Sequence, residues 1–358
     1  MHKRFAFLCL YPSNTAPSQR FRIEQFLPYW KEEGIEIDLF PFYSDVGHKV
    51  LYQKGKLAVK AWEVVRSYLR RIYLLFCLSA YDTVIVQRSV TPLGPPVIEF
   101  LLVKLLGKKL IYDFDDAIWM PDSKSSFLVK AAKFYPKVRQ ICRLATVVIV
   151  GNTYLSQYAK QFSRNVRVIP TVVDTENKYI PNNPITPTQP ITIGWTGSHT
   201  TLQYLDIISA PLAELARWDN VRVLIIANKP AVTLSVPHDF EYWSADSEIA
   251  KLNEIDIGIM PLRRDRWSEG KCGFKAIQYM AMEKPVVASP IGVNNEIIDP
   301  GVSGFLPSTN DEWLTSIGKL IADVKLRREM GKEARSRIVA NYSVTSVLPK
   351  WKEVFRAL

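Results

Sequence analysis

The stretch Glu269–Ser289 reads EGKCGFKAIQYMAMEKPVVAS, and it decides the fold. Phe274, Ile277, Met280 and Ala281 recur at spacings of three and four, which predicts a helix over 273–284 with one buried face. PVVAS follows as a short apolar run, the signature of a strand buried on both faces. A helix that feeds such a strand is the repeating step of a parallel sheet. At the start of the helix stand Gly270 and Gly273, which let backbone approach a ligand, and Lys271 and Lys275. Cations are unfavourable at the positive end of a helix dipole unless an anion offsets them. A diphosphate fits that place; the other reading is a pair of solvated surface lysines.

Working outward, the same alternation of apolar runs with helix-period segments fills the chain. RFAFLCLY, IEIDLFPF, TVIVQRS, KLIYDFDD, TVVIVGN and VRVIPTV are strand candidates in the first half. ITIGWTG, VRVLIIAN, IDIGIMPL and KPVVASP are those of the second. Between the series lies NKYIPNNPITPTQP, a polar, proline-rich linker. The expected class is α/β with two Rossmann-like domains whose strand ends face a central cleft. The expected boundaries are residues 1–176, a linker over 177–190, a second domain over 191–340 and a final helix, 341–358, that returns to the first domain.

A chain of 358 residues is long for one core, and its 47% apolar and 23% charged content suits a folded globular protein. The net charge of +11 points to an acidic partner. No nucleic-acid module accompanies that charge, so nucleic acid is not expected. Cys9, Cys77, Cys142 and Cys272 form no metal or disulfide pattern, and His2, His48, His199 and His238 show no ligand spacing. The opening MHKRFAFLCLYPS lacks a cleavage motif and reads as a first strand. No apolar run reaches the length of a membrane span. A cytoplasmic setting is expected.

From Ile191 onward the sequence resembles the nucleotide-sugar-binding half of the family 4 glycosyltransferases, retaining enzymes of GT-B fold. The residues that carry this are IGWTGSHTTLQYL, DIGIMPL, GKCGFKAIQYMAMEKPVVASPIGVNNEII, GVSGFL and LRREMGKEARSRIVANYS. PSQRFRIEQFLPYW, IYDFDDAIW and VIVGNTYL match more loosely in the first half. The resemblance implies transfer of a sugar from a nucleotide-diphosphate sugar to a saccharide or polyprenyl-linked acceptor, in cell-surface polysaccharide or glycoconjugate synthesis, without metal or cofactor. A catalytically inactive relative that binds sugar or nucleotide is the alternative.

Donor contacts are expected from Gly197, Ser198, Arg263, Gly270, Lys271, Lys275 and Gln278. Two departures stand out. The family's two glutamates, with seven residues between them, fall here on Gly270 and Gln278, with Glu269 one position out of register. Gln278 retains an amide that can bond ribose hydroxyls, and Glu269 is the candidate against the donor sugar. Where many relatives carry arginine and lysine, this chain has Gly197, Ser198, His199, Thr200 and Thr201, which bind phosphate through backbone N–H groups or simply cap a helix.

In the first half, Asp113, Asp115 and Asp116 end a predicted strand. Such a run invites a divalent metal, but the phosphate signature lies in the other half. Asp115 or Asp116 is instead the expected group that orients or deprotonates the acceptor hydroxyl; an acidic helix cap is the other reading. Arg20, Arg22 and Asp113 are expected to contact acceptor or phosphate. Segment 49–80 places Trp62, Val65, Leu69, Ile72 and Phe76 at helical spacing among Lys54, Lys56, Lys60, Arg66, Arg70 and Arg71. A basic amphipathic helix of this kind reads as contact with an anionic membrane surface, at the inner face of the cell membrane, or as a core-packing helix with a basic exterior.

Overall fold

The computed structural model describes residues 3–51, 53, 55–121, 126–182, 190–230 and 234–358. The expected linker residues 183–189, together with Lys54 and His2, lie outside them. Strands β1 (Lys3–Cys9), β2 (Ile35–Pro41), β3 (Thr83–Gln87), β4 (Lys109–Phe114), β5 (Val147–Val150) and β6 (Val166–Val168) form one sheet. Its order is β2-β1-β3-β4-β5-β6, with every pairing parallel. A second parallel sheet holds β7 (Ile191–Gly197), β8 (Val221–Ala227), β9 (Asp239–Tyr242), β10 (Ile257–Met260), β11 (Val286–Ala288) and β12 (Gly304–Phe305). Its order is β12-β11-β10-β7-β8-β9. The central strands are buried along nearly their whole length because helices cover both faces, so they read as unbroken apolar runs rather than alternating ones.

In each sheet the strand order reverses once, between β1 and β3 in the first and between β7 and β10 in the second. Loops leaving the carboxyl ends of those pairs diverge, which opens a crevice for a ligand.

The chain divides into one unit of Met1–Pro170 with Leu348–Leu358 and another of Thr171–Val347. The partition comes at Pro170 rather than at 176 because the residues that follow pair within the second unit. Val173 bridges Ser343, and the Tyr179 hydroxyl donates to Glu248 at 3.2 Å. The last helix, Val344–Arg356, turns Trp351 and Phe355 into the first unit. There Trp351 meets Trp30 edge-on at 5.2 Å, and Phe355 lies 4.8 Å from Phe5, ring centre to ring centre. Among the described residues no helix is long and apolar enough to cross a membrane.

Candidate active site

In the second unit the expected donor residues gather at the carboxyl ends of β7 and β10. The helix of the opening stretch spans Phe274–Ala281, shorter than the expected 273–284, with Gly273 as its N-cap. Gly273 has φ +66°, and a Cβ there would stand 2.2 Å from Ile297, so the turn accepts only glycine. Tyr279 fixes the helix to the sheet: its buried hydroxyl accepts the Thr196 N–H of β7 at 2.8 Å, and its ring fills the space left by Gly258. Burial raises the phenol's pKa, so it stays a neutral anchor.

This anchoring brings Lys275 to the end of β7. A Cβ on Gly197 would lie 2.7 Å from Lys275 Cε and 2.6 Å from the Trp195 ring, so glycine is what admits the lysine stem. The Lys275 ammonium sits 5.3 Å from the Trp195 ring centre. Lys271 lies 5.8 Å from the ring centres of both Tyr204 and Trp267. An aromatic face positions an ammonium without neutralising it. Both cations therefore stand at the end of the helix whose dipole favours an anion.

The neighbouring loops complete the arrangement. Ser198 is exposed, with Oγ 2.7 Å from Thr200 Oγ1, and the His199 N–H donates to Asn228 at the end of β8, 2.8 Å away. Arg263 is exposed on the loop after β10, and Glu269 is half-buried at the end of the short helix Arg266–Glu269. Gly270 caps that helix in the ordinary right-handed region, at φ −75°, so its conformation does not itself call for glycine.

Gln278 departs from the expected donor contact. It is buried, and its amide donates to the Tyr179 hydroxyl at 2.9 Å and to Glu248 at 3.3 Å. Glu248 also pairs with Lys178 at 3.1 Å. Gln278 thus ties the helix to residues 178–179 within the unit, because its partners satisfy the amide where water cannot reach.

In the first unit the expected acceptor residues collect at the carboxyl ends of β1, β3 and β4. Arg22 and Asp113 are only 1% and 0% exposed. The guanidinium meets the carboxylate at 2.5 Å and also donates to the Ile169 carbonyl at 2.6 Å. Arg22 and Asp113, expected at the acceptor or a phosphate, form a buried ion pair in which each group neutralises the other. Burial pushes the Asp113 carboxyl up, with Arg22 opposing it. Arg20 is likewise buried, its guanidinium 4.9 Å from the Phe21 ring centre.

Asp115 and Asp116 converge on a residue the sequence did not single out. Arg88, just after β3, reaches Asp115 at 2.9 Å and Asp116 at 2.6 Å. Its backbone lies at φ +62°, a region non-glycine residues rarely occupy, and its carbonyl accepts the Tyr112 hydroxyl at 2.8 Å. Burial raises the Asp115 carboxyl, but Arg88, the Ser18 hydroxyl and Arg22 outweigh it and hold it below the usual range. Ser18, on the helix Pro17–Arg22 that follows β1, in turn accepts from Gln87 at the end of β3, 2.5 Å away, across the reversal in strand order. The Asp-x-Asp-Asp carboxylates are divided between two arginines rather than facing one point. Among the described residues no group of three or more His, Cys, Asp or Glu side chains is set to hold a metal ion.

Residues 191–323, which contain β7, β10 and the Lys275 helix, match the family described as Glycosyl transferases group 1. No curated protein matches the chain. Among solved structures, sucrose-phosphate synthase from Thermosynechococcus elongatus is 15% identical, over 99% of this chain and 98% of that one, at a TM-score of 0.71. Anabaena HepE, in complex with UDP and glucose, is 16% identical over 100% of each chain at a TM-score of 0.69. A glycosyltransferase from Rickettsia africae is also 16% identical, over 100% of this chain and 99% of that one, at a TM-score of 0.69. The fold is therefore that of the GT-B glycosyltransferases, and the family match in the second unit supports glycosyl transfer.

Proposed function

We propose that the protein is a retaining glycosyltransferase of family 4 that moves a sugar, a hexose in the simplest reading, from a nucleotide-diphosphate sugar to a saccharide or lipid-linked acceptor. The observation that carries this reading is the seat of Lys275 against Gly197 and Trp195, at a helix N-terminus beside the β7–β10 reversal. In it, the diphosphate lies along the helix N-terminus with Lys275 and Lys271 beside it. Their field strengthens its hold as the leaving β-phosphate gains charge. That phosphate receives the proton of the incoming hydroxyl on the same face of the sugar, which gives retention. Ser198 and Arg263 flank the donor, and Glu269 is the carboxylate set against its sugar.

Asp115 and Asp116, both ion-paired with Arg88, suit accepting a hydrogen bond from the acceptor hydroxyl. A carboxyl below the usual pKa range is a weak base, so orientation is a better role than deprotonation. No metal enters this reading, and transfer should survive EDTA. Because Gln278 is engaged inside the fold rather than with a donor, a nucleotide-binding protein without transfer activity is the second reading.

The test is kcat/KM together with nucleoside diphosphate affinity for Lys275→Ala and Lys271→Ala, starting from UDP because HepE holds it. Lys275→Ala should cost about 2–4 kcal/mol in transition-state stabilisation and weaken diphosphate binding more than nucleoside binding. Lys271→Ala should cost the same or less. Unchanged values in both folded variants would overturn the donor site. Diphosphate binding with neither transfer nor donor hydrolysis would favour the second reading.

A further inference from the structure

The helix Leu57–Cys77 is built inside out. Glu63, Ser67 and Arg71 face inward at 7%, 1% and 2% exposure, whereas Leu57, Trp62, Leu69, Tyr73 and Phe76 are 78%, 62%, 59%, 70% and 78% exposed. A surface helix ordinarily turns its apolar stripe to the core. Here the polar stripe is locked inward. Arg71 donates to the carbonyls of Cys9 at 2.5 Å, Phe40 at 2.6 Å and Val90 at 3.3 Å, and Ser44 donates to Glu63 at 3.1 Å. Rolling the helix to hide its apolar stripe would strip a buried cation of these acceptors.

A second element extends the exposed face. The helix Phe127–Lys133 has no buried residue, and its leading Phe127 and Leu128 stand out at 82% and 77% exposure. One short loop joins the two helices: the Tyr68 hydroxyl donates to the Leu93 carbonyl at 2.8 Å, and the Gly94 N–H donates to the Ala132 carbonyl at 2.8 Å. Basic residues border both helices, with Lys56, Arg66 and Arg70 at the first and Lys130 and Lys133 on the second. Glu63, the one acidic residue in either helix, is buried.

Exposed apolar side chains clustered on two helices that share one loop mark an interaction site. Charge selects the occupant. Lysine is depleted from protein interfaces, whereas aromatic and aliphatic side chains among lysines and arginines match an anionic lipid surface. We infer that this face docks on an anionic bilayer, with Trp62, Leu69, Phe76, Phe127 and Leu128 in the acyl boundary and the basic residues among the headgroups. The inference does not rest on sugar transfer, and its test needs no donor or acceptor.

The experiment is flotation of the full chain with vesicles of phosphatidylcholine, alone or mixed with phosphatidylglycerol. The protein should rise with the mixed vesicles, less with neutral ones, and less as salt is added. Phe127→Ser with Leu128→Ser, and separately Trp62→Ser with Phe76→Ser, should each lower the partition coefficient about tenfold or more. Melting temperature should stay close to that of the wild type, because these side chains are mostly exposed in the free protein. Failure of the wild type to float, or equal flotation by the Phe127/Leu128 variant, overturns the inference. So does a wild-type dimer that the same substitutions dissociate, since a second copy would then be what covers the face. If the Trp62/Phe76 variant misfolds, the Phe127/Leu128 variant decides alone.

Discussion

The helices Leu57–Cys77 and Val344–Arg356 carry the same kind of sequence and face opposite ways. In the later helix Val347, Trp351, Val354 and Phe355 are buried; in the earlier one the apolar stripe is turned outward and Arg71 lies inside. Helical spacing shows that a stripe exists but says nothing of its direction. Direction follows from what the neighbouring backbone needs. Beside the inward face of the last helix lie the rings of Phe5, Phe26 and Trp30. Beside the earlier one lie carbonyls at the ends of β1 and β2 and after β3, and a guanidinium satisfies them. Burial pushes Arg71 down to about 10, with Cys9 and Glu99 opposing, which leaves it charged at neutral pH.

Three substitutions rank this contrast. Trp351→Ala removes a fully buried indole from an aromatic cluster and should destabilise the first unit by about 3–5 kcal/mol in chemical denaturation. A loss below 1 kcal/mol would mean that the last helix only rests on the unit. Arg71→Met keeps the bulk but leaves carbonyls without their donor, at an expected cost of about 1–3 kcal/mol. The Cys9 carbonyl keeps the Phe42 N–H, which holds the figure down. A stabilised Arg71→Met would show that the inward polar stripe is not what orients the helix. Trp62→Gln, on the outward stripe of the same helix, should change the denaturation midpoint by less than about 0.5 kcal/mol. A larger loss would put Trp62 in a core, and the two helices would no longer differ.

The sequence made the strand cores legible because buried parallel strands are apolar along their length. β9 and β12 escaped as strands: Asp-Phe-Glu-Tyr and Gly-Phe lie at the sheet edges, where half-exposed residues carry no apolar run. The glycine and lysine pattern before Phe274 was legible since a tight turn and a helix start leave residue-type signatures. Arg88 was not, for a left-handed backbone at an arginine has no signature, and its partners lie 27 and 28 residues away. Gln278 was expected at the donor, and the structure engages its amide inside the fold. Its partners, Tyr179 and Glu248, are 99 and 30 residues distant, so only tertiary packing could reveal them.

The passage of residues 348–358 back into the first unit sets an order for synthesis on the ribosome. Phe5, Phe26 and Trp30 leave the exit tunnel early, while Trp351 and Phe355 leave it only after all of Thr171–Val347. Domains generally fold in the order they are made. In this chain all of Thr171–Val347 has been translated before the first unit holds its full aromatic cluster, so the unit that begins first is completed last. A chain cut after Val347 would keep every residue of the second unit and leave Trp30 without the Trp351 and Phe355 rings beside it.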